Sequence, residues 1–181
     1  YHAEQLAAGL EGVLVKKVSG IYQPGRSGFN WVKLKEVENT QGKLSDTIDC
    51  VVMGYYRGRG KRSVFGVGAF LVGVMGVDNN ILTIAKIGTG LSDEQFRELY
   101  EKLHRIEVSQ KVDNYKVEKI LEPDVWVKGE IVVEIAADEI TKSPSHTANY
   151  ALRFPRLVKF RDDKSVSEIT THTEIEQMYG Q

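Results

Sequence analysis

The sequence contains very little cysteine: Cys50 is the only one in 181 residues. One thiol cannot form an internal disulfide, which excludes a disulfide-stabilised scaffold and permits a reducing compartment. Cys50 lies in the apolar run Ile48–Val52, where we expect it to be a small buried hydrophobe. The sequence also lacks an apolar run long enough to cross a bilayer and a signal-peptide pattern, so we expect no membrane partner.

The sequence also has almost no net charge, with 24 Lys and Arg against 25 Asp and Glu. Its 41% hydrophobic and 27% charged residues are typical of a globular protein with one domain, or one domain plus a fragment. The charge is nevertheless distributed unevenly. Residues 55–62 contain four cations and no acid, and residues 153–164 contain five cations against two acids. Such local basic segments are what contacts with nucleic-acid phosphates require.

Alternating hydrophobicity and β-branched residues predict a mostly β fold with one or two helices. The expected strands are residues 12–18, 30–37, 47–56, 64–77, 80–87, 131–136 and 153–161. The polar run Asp78-Asn79-Asn80 predicts a hairpin turn between two of these strands.

One helix is predicted after Ser92, because Gln95 completes a capping-box pattern. Apolar residues then recur at helical spacing at Phe96, Leu99, Tyr100 and Leu103. A short second helix is expected from Thr173, where Glu176 gives the same pattern. Several strands with one helix between them are typical of a small closed or half-closed barrel, although periodicity alone does not give its topology.

Three segments have residue patterns suited to phosphate chemistry. Glu11–Lys16 is either an ordinary strand with charged ends or a strand whose carboxylate holds a metal near a phosphate. In Trp31–Lys35, Lys33 and Lys35 share a strand face, which is either solvated or directed at a phosphate. The third segment, Arg161–Lys164, is by itself most simply a charged turn after a strand.

In this order, the three segments resemble motifs IV, V and VI of the covalent nucleotidyltransferases. Other segments resemble the OB domain of the ATP-dependent DNA ligases of the archaeal and eukaryotic replicative type: Gly58–Arg62, Lys86–Glu94, Val132–Ser143 and Leu152–Arg156. The resemblance covers nearly the whole chain. It implies that residues 1–36 are the C-terminal strands of the adenylating (nucleotidyltransferase) domain and that residues 37–181 form an OB-fold DNA-binding domain.

The resemblance implies an enzyme that seals nicks in duplex DNA during replication, repair and recombination, with ATP and Mg²⁺ as cofactors. Its three steps are phosphoryl transfers through enzyme–adenylate and DNA–adenylate intermediates. By the resemblance, Glu11 would help to hold the metal, and Lys33 and Lys35 would contact the phosphates of ATP and adenylate. Arg26 would reach the nucleotide, although its spacing to Lys33 is slightly longer than is usual in the family.

Arg161 and Lys164 would orient the pyrophosphate leaving group, which requires the OB domain to close over the nucleotide about a hinge in residues 36–42. DNA contact would be mainly to the backbone, because a ligase must seal any sequence. The candidate DNA-binding residues are Arg57, Arg59, Lys61, Arg62, Arg153 and Phe154. Phe154 is either a minor-groove wedge or a core residue.

The sequence has no Lys-x-Asp-Gly nucleophile motif and no motif III or IIIa, so we expect this chain not to adenylate itself. Its expected partners are nicked duplex DNA and the missing N-terminal part of the enzyme, without which residues 1–36 would lack neighbouring strands. A sliding clamp is a possible partner, but no docking motif supports it. The expected location is the cytoplasm, or the nucleus in a eukaryote.

Two alternatives remain open at this stage: an RNA ligase or capping-type nucleotidyltransferase, and a non-catalytic OB-fold module that binds nucleic acid. The second would be expected to offer aromatic platforms for single strands, and the basic segments have few interleaved aromatic residues. The four histidines have no metal-ligand spacing and are expected at the surface: His2, His104, His146 and His172.

Overall fold

The computed structural model describes residues 1–8, 12–22, 29–35, 44 and 46–180. The chain divides into two compact units, Tyr1–Asn39 and Thr40–Gln181. The expected hinge, residues 36–42, lies outside the described residues, and so do Glu11 and Arg26.

The first unit contains helix α1 and a two-stranded antiparallel sheet. Its elements are α1 (His2–Ala7), β1 (Gly12–Lys16) and β2 (Trp31–Lys35). The strands, both predicted from the sequence, pair from Gly12 opposite Lys35 to Lys16 opposite Trp31. The apolar side chains of this sheet are substantially exposed, because among the described residues of the unit no further strand pairs with it.

The second unit is mostly β, as predicted. Its longer elements are β3 (Ile48–Arg57), β4 (Val67–Met75), β5 (Ile81–Ile87), α2 (Asp93–His104), β9 (Val132–Ala136), β10 (Glu139–Lys142), β11 (Tyr150–Arg153), β12 (Arg156–Phe160) and α3 (His172–Tyr179). Three short strands complete it: β6 (Glu107–Val108), β7 (Tyr115–Lys116) and β8 (Val125–Val127). The sequence patterns did not predict α1, β10 or these short strands, and of β11 they included only Arg153.

The main sheet of the second unit is organised around β3. Its strand order is β12-β9-β3-β4-β5-β7, and β8 also pairs with β3. Residues Ile48 to Val51 pair with β9, and Gly54 and Tyr55 pair with β8. A Cβ on Gly54 would lie 2.5 Å from Pro123 Cγ, so only glycine allows this approach. The two halves of β3 thus pair with different strands, which allows the sheet to curl.

Helix α2 supplies the apolar face that packs against this sheet. Ser92 accepts a hydrogen bond from the backbone N–H of Gln95, whose side chain in turn accepts from the backbone N–H of Ser92, which confirms the predicted capping box. Phe96, Leu99 and Leu103 are buried in the same core as Ile48, Cys50 and Ile135. Cys50 is completely buried, and burial raises the pKa of its thiol, so its predicted role as a buried hydrophobe is confirmed.

The strand predicted over residues 153–161 was wrong at its start, because β12 begins only at Arg156 and Arg153 is the last residue of a separate strand, β11. The break falls at Phe154 and Pro155, where Phe154 has a φ of 50° that no regular strand allows. β11 pairs with β10, whereas β12 pairs with β9 in the main sheet.

Helix α3 begins earlier than predicted. Thr171, and not Thr173, is the N-cap, and Glu174 completes its capping box. The preceding segment is attached to the sheet by backbone hydrogen bonds, since Thr170 N–H donates to Asp49 O and Met75 N–H donates to Thr170 O. The C-terminal segment is therefore attached to both β3 and β4.

Three of the four histidines depart from the prediction that all lie at the surface, and only His104 is exposed. His2 is partly buried, with its Nε2 3.2 Å from the carbonyl oxygen of Leu34. His146 is half-buried, and its burial lowers its pKa. His172 lies against Tyr150, with its Nε2 2.9 Å from the carbonyl oxygen of Ala148. In the described part of the chain, no helix has the length and apolar character needed to span a membrane.

Candidate functional site

The sheet of the first unit has one face with lysines and one apolar face. Residues opposite each other in the register share a face, so Lys16 and Lys33 lie on the same side, together with Leu14 and Trp31. Lys33 is exposed, and among the described residues no acid pairs with it. The expected phosphate-binding Lys33 therefore lies on one face, and Val15, Val32 and Leu34 lie on the other. The side chain of the second expected lysine, Lys35, lies outside what the structure describes.

Arg161 and Lys164, at the end of β12, contact one common carboxylate. The Arg161 Nη1 lies 3.1 and 3.2 Å from the two carboxylate oxygens of Asp49, and the Lys164 Nζ lies 2.6 Å from Asp49 Oδ2. Arg161 is 16% exposed and Asp49 is 13% exposed, while Lys164 is 29% exposed. The structure thus brings the two predicted motif VI cations together in a partly buried position. Both contact Asp49 of β3, a residue that the sequence analysis did not single out.

Two further acids complete the surroundings of Arg161. Asp163 accepts two hydrogen bonds of 2.9 Å from its Nε and Nη2, and Glu134 lies 3.4 Å from its Nη1. The hydrogen bonds from Arg161 hold the pKa of Asp163 at about 2, and Asp163 and Asp49 raise the pKa of Arg161. Both groups are therefore charged at neutral pH. We name the set Asp49, Glu134, Arg161, Asp163 and Lys164 the motif VI cluster.

The remaining acid of this turn is paired outside the cluster. Asp162 accepts from Lys102 of α2, with both of its carboxylate oxygens 3.0 Å from the Nζ. Helix α2 therefore contacts the turn that follows β12 through this exposed ion pair.

The loop between β3 and β4 presents most of its cations to solvent. Arg57, Arg59 and Lys61 are exposed, as expected for a phosphate-binding loop. Arg62 differs, because its guanidinium donates to the carbonyl of Gly68 and lies 5.3 Å from the ring centre of Phe96. Arg62 therefore helps to fold the loop, and the three others form its free surface.

The tight path of this loop depends on glycine. A Cβ on Gly58 would lie 2.1 Å from the carbonyl oxygen of Arg62, and Gly60 has a φ of 59°. The loop continues in a short 3-10 helix, Gly60–Phe65, which replaces the start of the strand predicted over residues 64–77. The glycines thus permit a compact loop in which cations are closely spaced.

Phe154 is an exposed aromatic residue in a strained conformation. Its side chain is 60% exposed, which excludes the core-packing interpretation, and its φ is 50°. A left-handed conformation is uncommon for a bulky residue and is typical of functional sites. The guanidinium of Arg153 lies 5.3 Å from the ring centre of Phe154 and 3.7 Å from Glu139.

Three residues near these sites were missed by sequence reasoning: Asp49, Glu134 and Arg156. Arg156 donates to Asp138 at 2.6 Å and packs beside the backbone of Gly90. The available signal for Asp49 was its position as the one acid inside the apolar run Ile48–Val52. Among the described residues, no group of three or more His, Cys, Asp or Glu side chains could hold a metal ion.

Comparison with known proteins gives the family. The sequence model described as "ATP dependent DNA ligase C terminal region" matches residues 63–164, more than half of the chain. The chain belongs to the ATP-dependent DNA ligase family. The match includes the motif VI cluster residues Glu134, Arg161, Asp163 and Lys164, and it favours a DNA ligase over an RNA ligase or a capping enzyme.

Similar proteins agree with this assignment. The chain is 46% identical over 188 residues to a probable DNA ligase of Dictyoglomus turgidum, covering 99% of the chain and 32% of the relative. It is 38% identical to a DNA ligase of Sulfurisphaera tokodaii, covering 97% of the chain and 30% of that relative. The chain thus spans about a third of the length of these relatives.

Two solved structures resemble the fold. The ligase domain of LigD from M. tuberculosis matches with a TM-score of 0.60 and 28% identity, over 93% of this chain and 50% of that chain. A mycobacterial DNA ligase D complexed with ATP and MES matches with a TM-score of 0.55 and 27% identity, over 93% and 49% of the two chains. The predicted mostly β fold with an OB-fold barrel is confirmed.

The strain at Phe154 leads to a stability prediction. Phe154→Gly is expected to be more stable than Phe154→Ala by about 1 kcal/mol, because alanine keeps the clash between Cβ and a left-handed backbone whereas glycine does not. Urea unfolding of the two variants measures the difference. If both variants instead lose about 3 to 5 kcal/mol, as for a phenylalanine removed from a core, the account of Phe154 is wrong.

Proposed function

We propose that this chain supplies the C-terminal part of an ATP-dependent DNA ligase that seals nicks in duplex DNA. The observation that carries the proposal is the motif VI cluster, in which Arg161 and Lys164 converge at the end of the family-matched region. Two partly exposed cations on a rigid sheet are suited to a multiply charged phosphate leaving group.

The role of Arg161 and Lys164 follows from the charge that develops during adenylation. When the bond between the α- and β-phosphates breaks, negative charge accumulates on the departing pyrophosphate. A fixed guanidinium and ammonium stabilise that charge without further reorganisation. Because both cations are paired with Asp49 here, they would have to exchange part of this pairing for the phosphate.

The first unit would contribute the nucleotide contacts. The exposed Lys33 of β2 is suited to the phosphates of ATP and adenylate. Lys35 would contact the same phosphates, and Arg26 would reach the nucleotide. Glu11 would hold Mg²⁺, which would offset phosphate charge. The described residues contain no cluster of side chains that could bind this ion alone. The ion would therefore be held by one carboxylate and the substrate phosphates, which is common for Mg²⁺.

The second unit would bind the nicked duplex mainly through its backbone. The exposed cations Arg57, Arg59 and Lys61 are suited to phosphates, whereas Arg62 would act by shaping the loop. Phe154 and Arg153 would contact the minor groove beside the nick, where an exposed ring can hold a distorted duplex.

The rest of the enzyme would be the second partner. The apolar face of the sheet in the first unit bears Val15, Val32 and Leu34, which are between 38% and 47% exposed. An apolar sheet face is normally buried, so this one is suited to the remaining part of an adenylating domain. The proposed location is the cytoplasm, or the nucleus in a eukaryote.

The aromatic residues argue against a non-catalytic module for single strands. Such modules need open aromatic faces. Lys86 Nζ lies 3.5 Å from the ring centre of Tyr56, and the Tyr56 hydroxyl donates to the carbonyl of Leu121. Tyr55 is buried. In the described basic segments, Phe154 alone is an exposed aromatic residue, which is fewer than a stacking platform requires.

A chimaera tests the proposed activity. This chain would replace the matching C-terminal segment of the Dictyoglomus turgidum probable DNA ligase, and sealing of a nicked DNA duplex would be measured with ATP and Mg²⁺. The chimaera is expected to seal, and Lys33→Ala and Lys164→Ala to reduce the rate about a hundredfold, because each removes a cation that stabilises phosphate charge.

Lys111→Ala is the matched control in the chimaera, since Lys111 is exposed and lies outside the proposed site. Nicked RNA tests the alternative substrate, and the chain alone is expected to form no covalent adenylate. An inactive chimaera beside an active parent enzyme would overturn the proposal.

DNA binding by the isolated chain tests the loop between β3 and β4. Binding to a nicked duplex should be weak and salt-dependent, because it releases counterions from phosphates. The double variant Arg59→Ala/Lys61→Ala should bind more weakly and lower the salt-dependence slope by about 2, since two phosphate contacts are lost. Fluorescence anisotropy at several salt concentrations measures the slope. An unchanged slope, or a preference for single strands over nicked duplex, would contradict the assignment.

A further inference from the structure

Asp49 is the one acidic residue in strand β3, and its environment is unusual. Its neighbours Ile48 and Cys50 are fully buried in the main core, and its own side chain is 13% exposed. A carboxylate at such a position is costly unless cations and hydrogen bonds compensate it. Asp49 is compensated entirely from the C-terminal segment of the chain, as the following contacts show.

The side chain of Asp49 connects the two motif VI cations. It accepts from Arg161 through both oxygens and from Lys164 at 2.6 Å. Lys164 has no other ion pair among the described residues, so without Asp49 its flexible stem would leave the ammonium group unplaced. Arg161 would keep its two hydrogen bonds to Asp163.

The neighbouring strand β9 places a second carboxylate beside Asp49, which increases the need for a cation between them. Asp49 lies directly opposite Glu134 of β9, and like charges in this position repel each other. Arg161 lies within hydrogen-bond distance of both carboxylates, and its own backbone N–H donates to Val132 of β9. The two acids thus define one location for the guanidinium, between the strands.

The backbone of Asp49 fixes the chain beyond motif VI. Its N–H donates to the Thr170 hydroxyl, and its carbonyl accepts from the Thr170 N–H. The segment from Arg161 to Thr170 is therefore held at both ends by the same residue.

We infer that Asp49 is a positioning residue for adenylation: it places Lys164 and Arg161 where the pyrophosphate leaves. The inference rests on the proposed function and deepens it. Asp49 contacts no reacting atom, and it acts through the two cations. Its carboxylate fixes the ammonium of Lys164 in the absence of nucleotide, so that less side-chain freedom is lost when phosphate binds.

The test separates the first chemical step from the last. In the chimaera, Asp49→Asn keeps the size of the side chain and the backbone contacts to Thr170 but removes the charge. Single-turnover formation of the enzyme–adenylate should slow about tenfold to a hundredfold. The effect should fall on the rate at saturating ATP rather than on the ATP concentration for half-maximal rate, since the cations act on the leaving group. Sealing of a pre-adenylated nick, which releases no pyrophosphate, should stay within about twofold of the unsubstituted chimaera.

Controls distinguish positioning from loss of fold. Asp113→Asn makes the same chemical change at an exposed site and should leave both steps unchanged. Asp49→Glu restores the charge and should recover part of the adenylation rate. Equal loss of both steps by Asp49→Asn would show a purely structural role. An unchanged adenylation rate would show that Asp49 does not position Lys164 and Arg161. Either result overturns the inference. If the unsubstituted chimaera forms no adenylate, the proposed function itself fails.

Discussion

A partly buried charge must be paired. In this molecule the same charge pairing requires a particular strand order and places the two cations that we propose to act in catalysis. Asp49 on β3 and Glu134 on β9 face each other across the middle of the main sheet, and Arg161 lies between them. The register of β3 with β9 and the path of the chain after β12 both have to satisfy this arrangement. Removing one member of such a group leaves an uncompensated charge, which costs more than the pairing itself contributes.

The other functional candidates lie where local rules of structure are broken. Phe154 has a left-handed backbone and an exposed ring. At Gly58 the loop backbone approaches itself so closely that any residue with a Cβ would clash. Regular strands lie on either side of both features, and they hold Phe154 in its strained conformation. The cations of the loop, the ring of Phe154 and the motif VI cluster are thus presented by rigid elements, as sites for positioning phosphates require.

The features that sequence patterns predicted correctly are local. The capping box of α2 involves residues three positions apart, and the hairpin turn at Asp78 and Asn79, which both adopt positive φ, depends on adjacent residues. The short strands β6, β7 and β8 were missed, because two or three residues have no measurable alternation. The resemblance to DNA ligases supplied the OB topology, which periodicity did not.

The features that could not be predicted depend on distant contacts. Asp49 and Arg161 are 112 residues apart, and nothing in either local sequence indicates that they meet. The break at Phe154 was hidden because the apolar pattern runs through it, and the inward role of Arg62 depends on Phe96 of α2. In the same way, the cap at Thr171 is set by the attachment of Thr170 to β3, whereas pattern alone favoured Thr173.

The central claim, that Asp49 and Lys164 hold each other in place, is tested most directly by a double-mutant cycle on the unfolding of the isolated chain. Asp49→Asn and Lys164→Met are compared singly and together by urea denaturation. The account predicts a coupling of at least about 0.5 kcal/mol, so that Asp49→Asn destabilises the Lys164→Met chain clearly less than the unsubstituted chain. Equal destabilisation in both backgrounds would show that the two side chains do not interact in solution and would contradict the account.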